Sequence, residues 1–467
     1  MPVTTFVFEG EFTPAQEKEY AHLPFDMPDD ATRLDVAYSY SNQIDSDPKL
    51  RGGNTIDLGV FDERGIDFLT AGFRGWSGSE RHEFFISNTQ ATPGYLAGPL
   101  APGRWHVGLG LYKIAPEGCR YRVVVTITRG AKDNAQTQMH PRPRALPSSP
   151  VTLREGKWLR GEMHCHTIHS DGASTPAELL EAARTRGLDF LAITDHNSIR
   201  CQRELETFFE PGLVLIRGVE VTTFKGHFNV WGIPDWIDFR VTRPEEMRAA
   251  IQFANTRGAL TSCNHPKPFG PPWDYQAVDD YHCIEVWNGP WQINNQVSLD
   301  FWTNQLAQGK RIPAVGGSDW HNHPAVPGVP PRALGTPTLW VQVDGTPDAD
   351  AILRAMRAGH VALSDEPDGA WVDLQIPSQA RAGDVLECSP NAELEAQVLC
   401  RRGAGNVLTL HDENGNFFRQ EILTPEQCVT VRVRAAAHRF VRAELRGHDN
   451  VMKALTNPIY LRENRNE

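Results

Sequence analysis

A switch in hydrophobic period, made twice along the chain, restricts what this sequence can fold into more than any other feature. From about residue 6 to 129 apolar side chains recur at every second position. Tyr121, Val123, Val125 and Ile127 alternate with Arg122, Thr126 and Thr128, interrupted by Val124, and Trp105, Val107, Leu109 and Leu111 alternate with His106, Gly108 and Gly110. Alternation of this kind buries one face of a strand and solvates the other. Dense Gly and Pro punctuation, as in Ala91-Thr92-Pro93-Gly94 and Ala101-Pro102-Gly103, predicts a β-sandwich over residues 1–130. Residues 131–153 are polar and proline-rich without periodicity, and read as an extended linker.

Beyond the linker the period becomes that of helices between short apolar runs. Thr175-Pro176-Ala177-Glu178 is a capping box with Pro at the first helical position, Leu179, Leu180 and Ala183 supply an apolar face, and Gly187 ends the helix. Phe190-Leu191-Ala192-Ile193 is short enough for a buried strand. The alternation recurs as a helix over 244–258 and a strand over 259–263, then Ile284-Glu285-Val286, a helix from 295 to 309, a strand over 312–315 and a helix opened by Thr346-Pro347 and closed by Gly359. This predicts an α/β fold with a mainly parallel sheet or barrel over residues 154–366. Period two then returns in Val429, Val431 and Val433 and in Val441, Ala443 and Leu445, which predicts a small β-domain over 367–467.

Charge and composition exclude several function classes. With 46 Lys and Arg against 58 Asp and Glu the net charge is −12, so there is no general attraction for nucleic acid or an anionic membrane. No apolar run approaches the ~18 residues of a membrane span. The opening Met1-Pro2-Val3-Thr4-Thr5-Phe6 lacks the basic and apolar regions of a secretion signal, and a cytoplasmic protein is expected. The 8 Cys form no C-x-x-C pair, which points to buried free thiols rather than a zinc ribbon or a disulfide framework. A small-molecule substrate is the expected partner, nucleic acid and membrane are not, and homo-oligomerisation is left open.

The chemistry concentrates in the central third, where nine of the 17 His fall between residues 164 and 323. His164-Cys165-His166 would place two imidazoles on one side of a strand, although a lone His-x-His is explained as well by core or surface histidines. Asp171 sits in Ser170-Asp171-Gly172, which an ordinary turn also accounts for. Asp195-His196 ends a buried apolar strand and Glu220 lies inside another; uncompensated charge there is costly, and a metal ion would compensate both. His265 follows Thr261-Ser262-Cys263-Asn264, and Asp319-Trp320-His321 follows Ala314-Val315-Gly316-Gly317-Ser318. Strand ends that each carry a hard or borderline ligand suggest one multinuclear centre.

Together, His164-x-His166-Thr167-x-x-Ser170-Asp171-Gly172, Thr194-Asp195-His196-Asn197, Gly218-x-Glu220, Asn264-His265-Pro266 and Gly317-Ser318-Asp319-x-His321 resemble the PHP (polymerase and histidinol phosphatase) superfamily of metal-dependent phosphoesterases. Gly226-His227-Phe228-Asn229, Glu285-Val286-Trp287-Asn288 and Thr456-Asn457-Pro458-Ile459-Tyr460 look like its carbaryl-hydrolase-like branch. The resemblance covers residues 155–366, extends more loosely to the C-terminal β-domain and least to the N-terminal sandwich. It implies a distorted (βα)7 barrel holding two or three divalent transition metal ions, Mn, Fe or Zn, at its strand ends. On matching positions His164, His166, Glu220 and Asp319 would hold one ion and Glu220 would bridge to a second served by His265 and His227. Asp171, His196 and His321 would complete a third or stay behind the ligands.

The implied activity is hydrolysis of a small phosphomonoester or phosphodiester by a metal-bridging hydroxide. Asp195 or His196 could move the proton, with Asp195 slightly favoured as a group that only orients a ligand. Lys267 and Arg200 are candidate rim cations for phosphate, with a solvated surface charge the plainer reading of each. Trp273, Trp287, Trp291 and Trp320 could wall a pocket or fill the core, and His169 and His323 read as rim residues. Two alternatives stand beside this: a carboxylester or carbamate hydrolase on the same metal site, and a non-catalytic binding protein with a structural metal. Structural zinc sites are usually closed with four ligands, which argues against the last.

Overall fold

In the computed structural model, the described residues are 1–47, 49–131, 143–147, 151, 153, 157–208, 211–268, 272–324 and 330–464. The linker expected at 131–153 lies largely outside them. Among the described residues the first part of the chain forms two four-stranded antiparallel sheets. One runs Val3–Phe12, Cys119–Arg129, Ala31–Tyr40, Glu83–Ser87 and the other Tyr20–Met27, Gly103–Lys113, Thr55–Phe61, Phe73–Gly78. The alternating residues Trp105, Val107, Leu109, Val123, Val125 and Ile127 share one buried cluster between them, as the period-two pattern requires.

The central part comprises β1 (Trp158–Glu162), α1 (Pro176–Thr185), β2 (Phe190–Ile193), α2 (Arg200–Leu205), β3 (Val214–Thr223), β4 (Gly226–Trp231), α3 (Pro244–Thr256), β5 (Leu260–Cys263), β6 (Cys283–Asn288), α4 (Asn295–Ala307), β7 (Ala314–Gly317), β8 (Thr338–Gln342), α5 (Ala349–Ala358) and β9 (Val361–Ser364). The capping box forms as expected: Glu178 N–H donates to Thr175 Oγ1 at 3.3 Å and Thr175 N–H to the Glu178 carboxylate at 2.8 Å. In α3, Met247, Ala250, Ile251 and Ala254 bury one stripe at helical spacing. Every residue of β2, β5 and β6 is buried, the mark of a sheet covered on both faces.

The sheet order is β7-β6-β5-β4-β3-β2-β1-β8-β9. Neighbours are parallel for β1/β2, β2/β3, β5/β6 and β6/β7 and antiparallel wherever β4 or β8 takes part. The architecture is therefore mixed α/β, and the expected regular alternation of strand and helix lapses twice. A tight turn joins β3 to β4, and no helix among the described residues separates β5 from β6. A hairpin needs only a few residues to reverse direction, whereas a parallel crossover needs a dozen or more.

Beyond β9 the sheet continues without a break into Met452–Thr456, Phe440–Arg446, Val407–Asp412 and Gly415–Glu421. Asn457 clamps this part onto β7: its amide donates to the Ala314 carbonyl at 2.9 Å and its Oδ1 accepts from Ala314 N–H at 2.7 Å. The cysteines are unpaired. Cys428 is exposed and Cys388 half-buried, which corrects the expectation of uniformly buried thiols. No helix among the described residues is long and apolar enough to cross a membrane.

The second N-terminal sheet turns its outer face toward the central part. Phe61, Phe73 and Trp76 belong to the same apolar cluster as Ile216, Val230 and Trp287. Phe73 stacks on Trp236 with ring centroids 4.4 Å apart, and Arg240 donates to Asp238 and to the carbonyls of Ile66 and Asp67.

Candidate metal centre

Four strand ends and two loops converge on one carboxylate. Glu220, in β3 and fully buried, has His164 Nε2 at 3.2 Å, His166 Nε2 at 3.5 Å and His196 Nδ1 at 2.9 Å from Oε2. His227 Nδ1 and His265 Nε2 each lie 3.3 Å from Oε1, which also accepts from the Asn264 amide at 2.8 Å. Glu220 thus faces two groups of imidazoles, one per oxygen. A second carboxylate, Asp319, has Oδ1 3.2 Å from His166 Nε2 and 3.5 Å from His164 Nε2. The third, Asp171, has Oδ1 3.2 Å from His321 Nε2 and 3.6 Å from His196 Nε2.

Backbone geometry aims these groups. His164 and His166 lie beyond the end of β1 rather than on the expected strand, yet their backbone stays extended because Asp319 N–H donates to the His164 carbonyl at 2.8 Å and His166 N–H to the Trp320 carbonyl at 2.9 Å. Buried Glu162 gathers the surrounding N–H groups of His164, Ser318 and Gly335 at 2.8–3.0 Å. Asn197, His265 and Asp319 take left-handed backbone angles, with φ of 56°, 27° and 51°, uncommon conformations that gather at functional sites. At 319–321 a left-handed turn, not a shared strand face, brings Asp319 and His321 together.

Electrostatics separates the imidazoles into two kinds. Burial works against a charge on His164, but Glu285, Glu220 and Asp319 outweigh it and hold the imidazolium well above its usual range. His196 is raised to about 9 by Asp171 and Glu220 against the same opposition. His166, buried beside His321 and His196, is lowered to about 3 and is neutral. Burial resists ionisation of Glu220, yet His164, His196 and His227 keep it well below the carboxylate range; Arg332 and His164 do the same for Asp319, and His321 and His196 for Asp171.

The donor set fits metal ions for a specific reason. A neutral imidazole carries one N–H, but both His166 nitrogens face carboxylate oxygens, Nε2 toward Glu220 and Asp319 and Nδ1 toward Asp171 at 4.0 Å. One of those nitrogens must point a lone pair at an anion, which a cation between them would reverse. His164 Nε2, both His166 nitrogens, His227 Nε2, His265 Nδ1, Glu220 Oε2 and Asp171 Oδ1 are all buried without a hydrogen-bond partner, a costly state for polar atoms. The sets His166/Asp171/His196/His321, His164/Glu220/His265, His164/His166/Asp319 and His196/Glu220/His227 each offer ligand atoms within 4.8 Å of one another. All nine residues singled out from the sequence as metal ligands are in these sets.

The expected catalytic residues fare differently. His196 lines the cavity above the cluster. Asp195 orients no imidazole: its carboxylate accepts from Thr167 N–H at 2.7 Å, from Thr167 Oγ1 and from Ser170 Oγ at 3.0 Å, which pins the loop leading to Asp171. Lys267 is buried and its ammonium donates to the Asn288 carbonyl at 2.9 Å and Asn295 Oδ1 at 2.8 Å. Arg200 opens α2, away from the cavity lining. Neither is the expected rim cation. Trp273 and Trp287 are core residues, and His169 faces Glu204 at 3.1 Å.

Sequence reasoning gave Glu285 only a place in the branch motif, and named neither Arg332 nor the particular N-terminal residues that wall the cavity. Glu285 Oε1 lies 2.7 Å from His164 Nδ1 and Oε2 accepts from His265 N–H at 3.0 Å, so it turns His164 Nε2 toward the cluster. The signal was present: a carboxylate inside apolar β6, the argument already applied to Glu220. Arg332 pairs with Asp319 at 2.7 Å. A cavity of about 290 Å³ opens over Asp171, His196 and His227, and its other wall comes from the N-terminal sheets through Tyr20, Asp57, Trp76, Glu80 and Tyr112. No Lys or Arg is among the described residues that line it.

Residues 162–283 match the family model described as PHP domain. Over 63 residues, 13% of this chain and 23% of the relative, the sequence is 41% identical to the 5'-3' exoribonuclease of Haemophilus influenzae. It is 27% identical over 126 residues, 23% of this chain and 44% of the relative, to the 3',5'-nucleoside bisphosphate phosphatase of Chromobacterium violaceum. The chain thus spans less than half the length of both. A crystal structure of a two-domain protein containing a predicted PHP-like metal-dependent phosphoesterase from Bacteroides vulgatus aligns with 68% of this chain and 100% of its own at 18% identity, with a TM-score of 0.36.

Proposed function

With a PHP domain at residues 162–283 as the premise, we propose that the chain is a metal-dependent hydrolase cleaving a phosphate ester at the cluster around Glu220. The observation that carries this is His166, a neutral imidazole with carboxylates facing both nitrogens. On this reading the central strands form a distorted (βα)7 barrel. His164, His166, Glu220 and Asp319 would hold one divalent ion, His227 and His265 with Glu220 a second, and Asp171, His196 and His321 a third. Mn, Fe or Zn bound there would supply Lewis acidity and an activated water nucleophile at neutral pH.

The chain's own residues prepare that centre. Glu285 fixes the ring of His164, and Asn264 holds Glu220 Oε1. Asp195, through Thr167 and Ser170, keeps the loop of Asp171 in place. At the cavity wall His196 Nε2 faces Asp171 at 3.6 Å and would hold there either the third ion or a proton, not both. The phosphatase relative and the motif set support phosphorus as the electrophile. The absence of Lys and Arg from the described cavity lining favours a second reading, attack on a carboxylester or carbamate, in line with the carbaryl-hydrolase-like resemblance.

Elemental analysis of the purified protein, with hydrolysis of nitrophenyl phosphate, bis(nitrophenyl) phosphate and nitrophenyl acetate, tests the proposal. About two or three transition metals per chain, with phosphate-ester turnover lost to a chelator and restored by metal, are expected. Turnover of the carboxylester alone would transfer the assignment to the second reading. Protein unable to take up Mn, Fe or Zn would overturn both.

A further inference from the structure

The N-terminal wall of the cavity has its own chemistry. Five aromatic side chains line it: Tyr20, Trp76 and Tyr112 from the N-terminal sheets, Phe224 from the β3–β4 turn and Phe239 from the segment after β4. They form one continuous surface. Tyr20 stacks on Phe224 at 4.9 Å and 15°, Tyr112 lies 5.9 Å from Phe224 at 26°, and Trp76 is 4.5 Å from Phe239.

Against this surface stands Asp57, on the strand Thr55–Phe61. Its carboxylate lines the cavity, and no described residue hydrogen-bonds to it or forms an ion pair with it. The strand beside it leaves room at Gly110, where a Cβ would come within 3.0 Å of Asp57 Oδ2 and 3.2 Å of the Trp76 ring. Exposed Glu80 adds a second carboxylate to the lining.

Aromatic ring faces carry negative potential and attract cations, most strongly where water is excluded, and ring cages are the recurring receptor for organic ammonium groups. An ammonium already uses part of this surface: Lys18 Nζ lies 3.6 Å above the Tyr112 ring centroid and donates to the Tyr112 carbonyl at 2.6 Å. Lys18 is not part of the cavity lining and makes no ion pair with Asp57. Lys18 Nζ also lies 5.3 Å from the Phe224 ring centroid, so the Tyr112 end of the wall already holds an ammonium, while the described lining itself supplies carboxylates and aromatic rings without Lys or Arg.

We propose that the wall of Tyr20, Trp76, Tyr112, Phe224 and Phe239, together with Asp57, is a subsite for an organic ammonium group carried by the substrate. The substrate class is then an ester of an amino alcohol, or another ester with a cationic arm, lying with its ester over the Glu220 cluster and its ammonium against the N-terminal sheets. The arm rests on the hydrolase reading above; the ammonium site does not. A bisphosphate is disfavoured, since its second phosphate would meet Asp57 and Glu80 in a lining that has no Lys or Arg among its described residues.

Calorimetric titration of the full chain with choline and with 3,3-dimethylbutan-1-ol, its neutral isostere, tests the site without any turnover. Choline is expected to bind about tenfold tighter or better. Asp57→Asn should remove most of that preference, and Phe224→Leu should weaken choline more than the alcohol. Equal affinity for the two probes in the parent protein would overturn the proposal, and that measurement needs no variant to fold. Nitrophenyl phosphorylcholine compared with nitrophenyl 3,3-dimethylbutyl phosphate then joins the two readings. Choline preference without turnover of either ester leaves the subsite standing and removes the hydrolase; turnover of both at equal kcat/KM overturns the subsite and keeps the hydrolase.

Discussion

Two buried glutamates in this molecule sit among positive charge and come to opposite ends. Glu444, in the strand Phe440–Arg446, is 2% exposed and bonds to Arg442 at 2.5 Å and Arg446 at 2.7 Å, with His411 Nε2 3.6 Å away. Glu220 is fully buried and has only imidazoles and one amide. A guanidinium is charged at every accessible pH and fills a carboxylate's lone pairs by itself. Both Glu444 oxygens are therefore met by guanidinium groups, and through Arg442 to Thr303 and Arg446 to Gln296 the cluster fastens the C-terminal strands to α4. An imidazole can exchange its proton for a metal ion. Both carboxylates are held ionised, but only at Glu220 is the counter-charge replaceable, and that is what separates a structural ion-pair cluster from a site.

The largest effect is expected from Glu220→Gln, which removes the shared anion. Bound metal should fall to a trace and phosphate-ester turnover by at least about a hundredfold, as measured by elemental analysis and initial rates. Full metal retention would break the distinction drawn between the two glutamates.

Glu444→Gln should act on stability alone. Against the opposition of burial, Arg442, His411 and Arg446 lower Glu444 to about 2 from 4.5. A depressed carboxylate contributes stability above its unfolded value and loses it as pH falls through the folded one. Urea unfolding should therefore show a loss of about 3 kcal/mol at pH 7 that closes between pH 4.5 and about 2, with metal content unchanged. A variant that also lost metal would show the two clusters to be coupled.

Smaller effects sharpen the same contrast. Glu285→Gln leaves every candidate ligand in place but loosens His164, and metal affinity should fall about 10–100-fold in a chelator competition. Arg200→Ala, away from the cavity, should change kcat/KM by no more than about twofold; a larger loss would return Arg200 to the substrate.

Much of the centre was legible because its residues announce themselves locally. A carboxylate such as Glu220 within Gly218-Val219-Glu220-Val221, or His196 after Phe190–Ile193, is anomalous on sequence neighbours alone, since burying it without a partner is costly. The helix at Pro176 was equally plain, because a capping box is made within four residues. Glu285 carries the same signal and stands in the branch motif, but its task was not legible because its partner His164 lies 121 residues away. The β3–β4 hairpin was also missed, since residues 214–223 and 226–231 carry no pattern that fixes strand direction.

By itself the sequence determined the ligand types, their placement at the ends of buried strands, and the exchange of period two for strand–helix alternation and back. Each of these depends on chemistry between near neighbours in the chain. Only the tertiary structure decided that Lys267 is locked onto Asn288 and Asn295, that Arg200 turns away, and that Tyr20, Asp57 and Tyr112 face His196 across one cavity. Those outcomes rest on packing between segments that are not sequence neighbours, and hydrophobic patterning selects which face is buried without specifying which surface it meets.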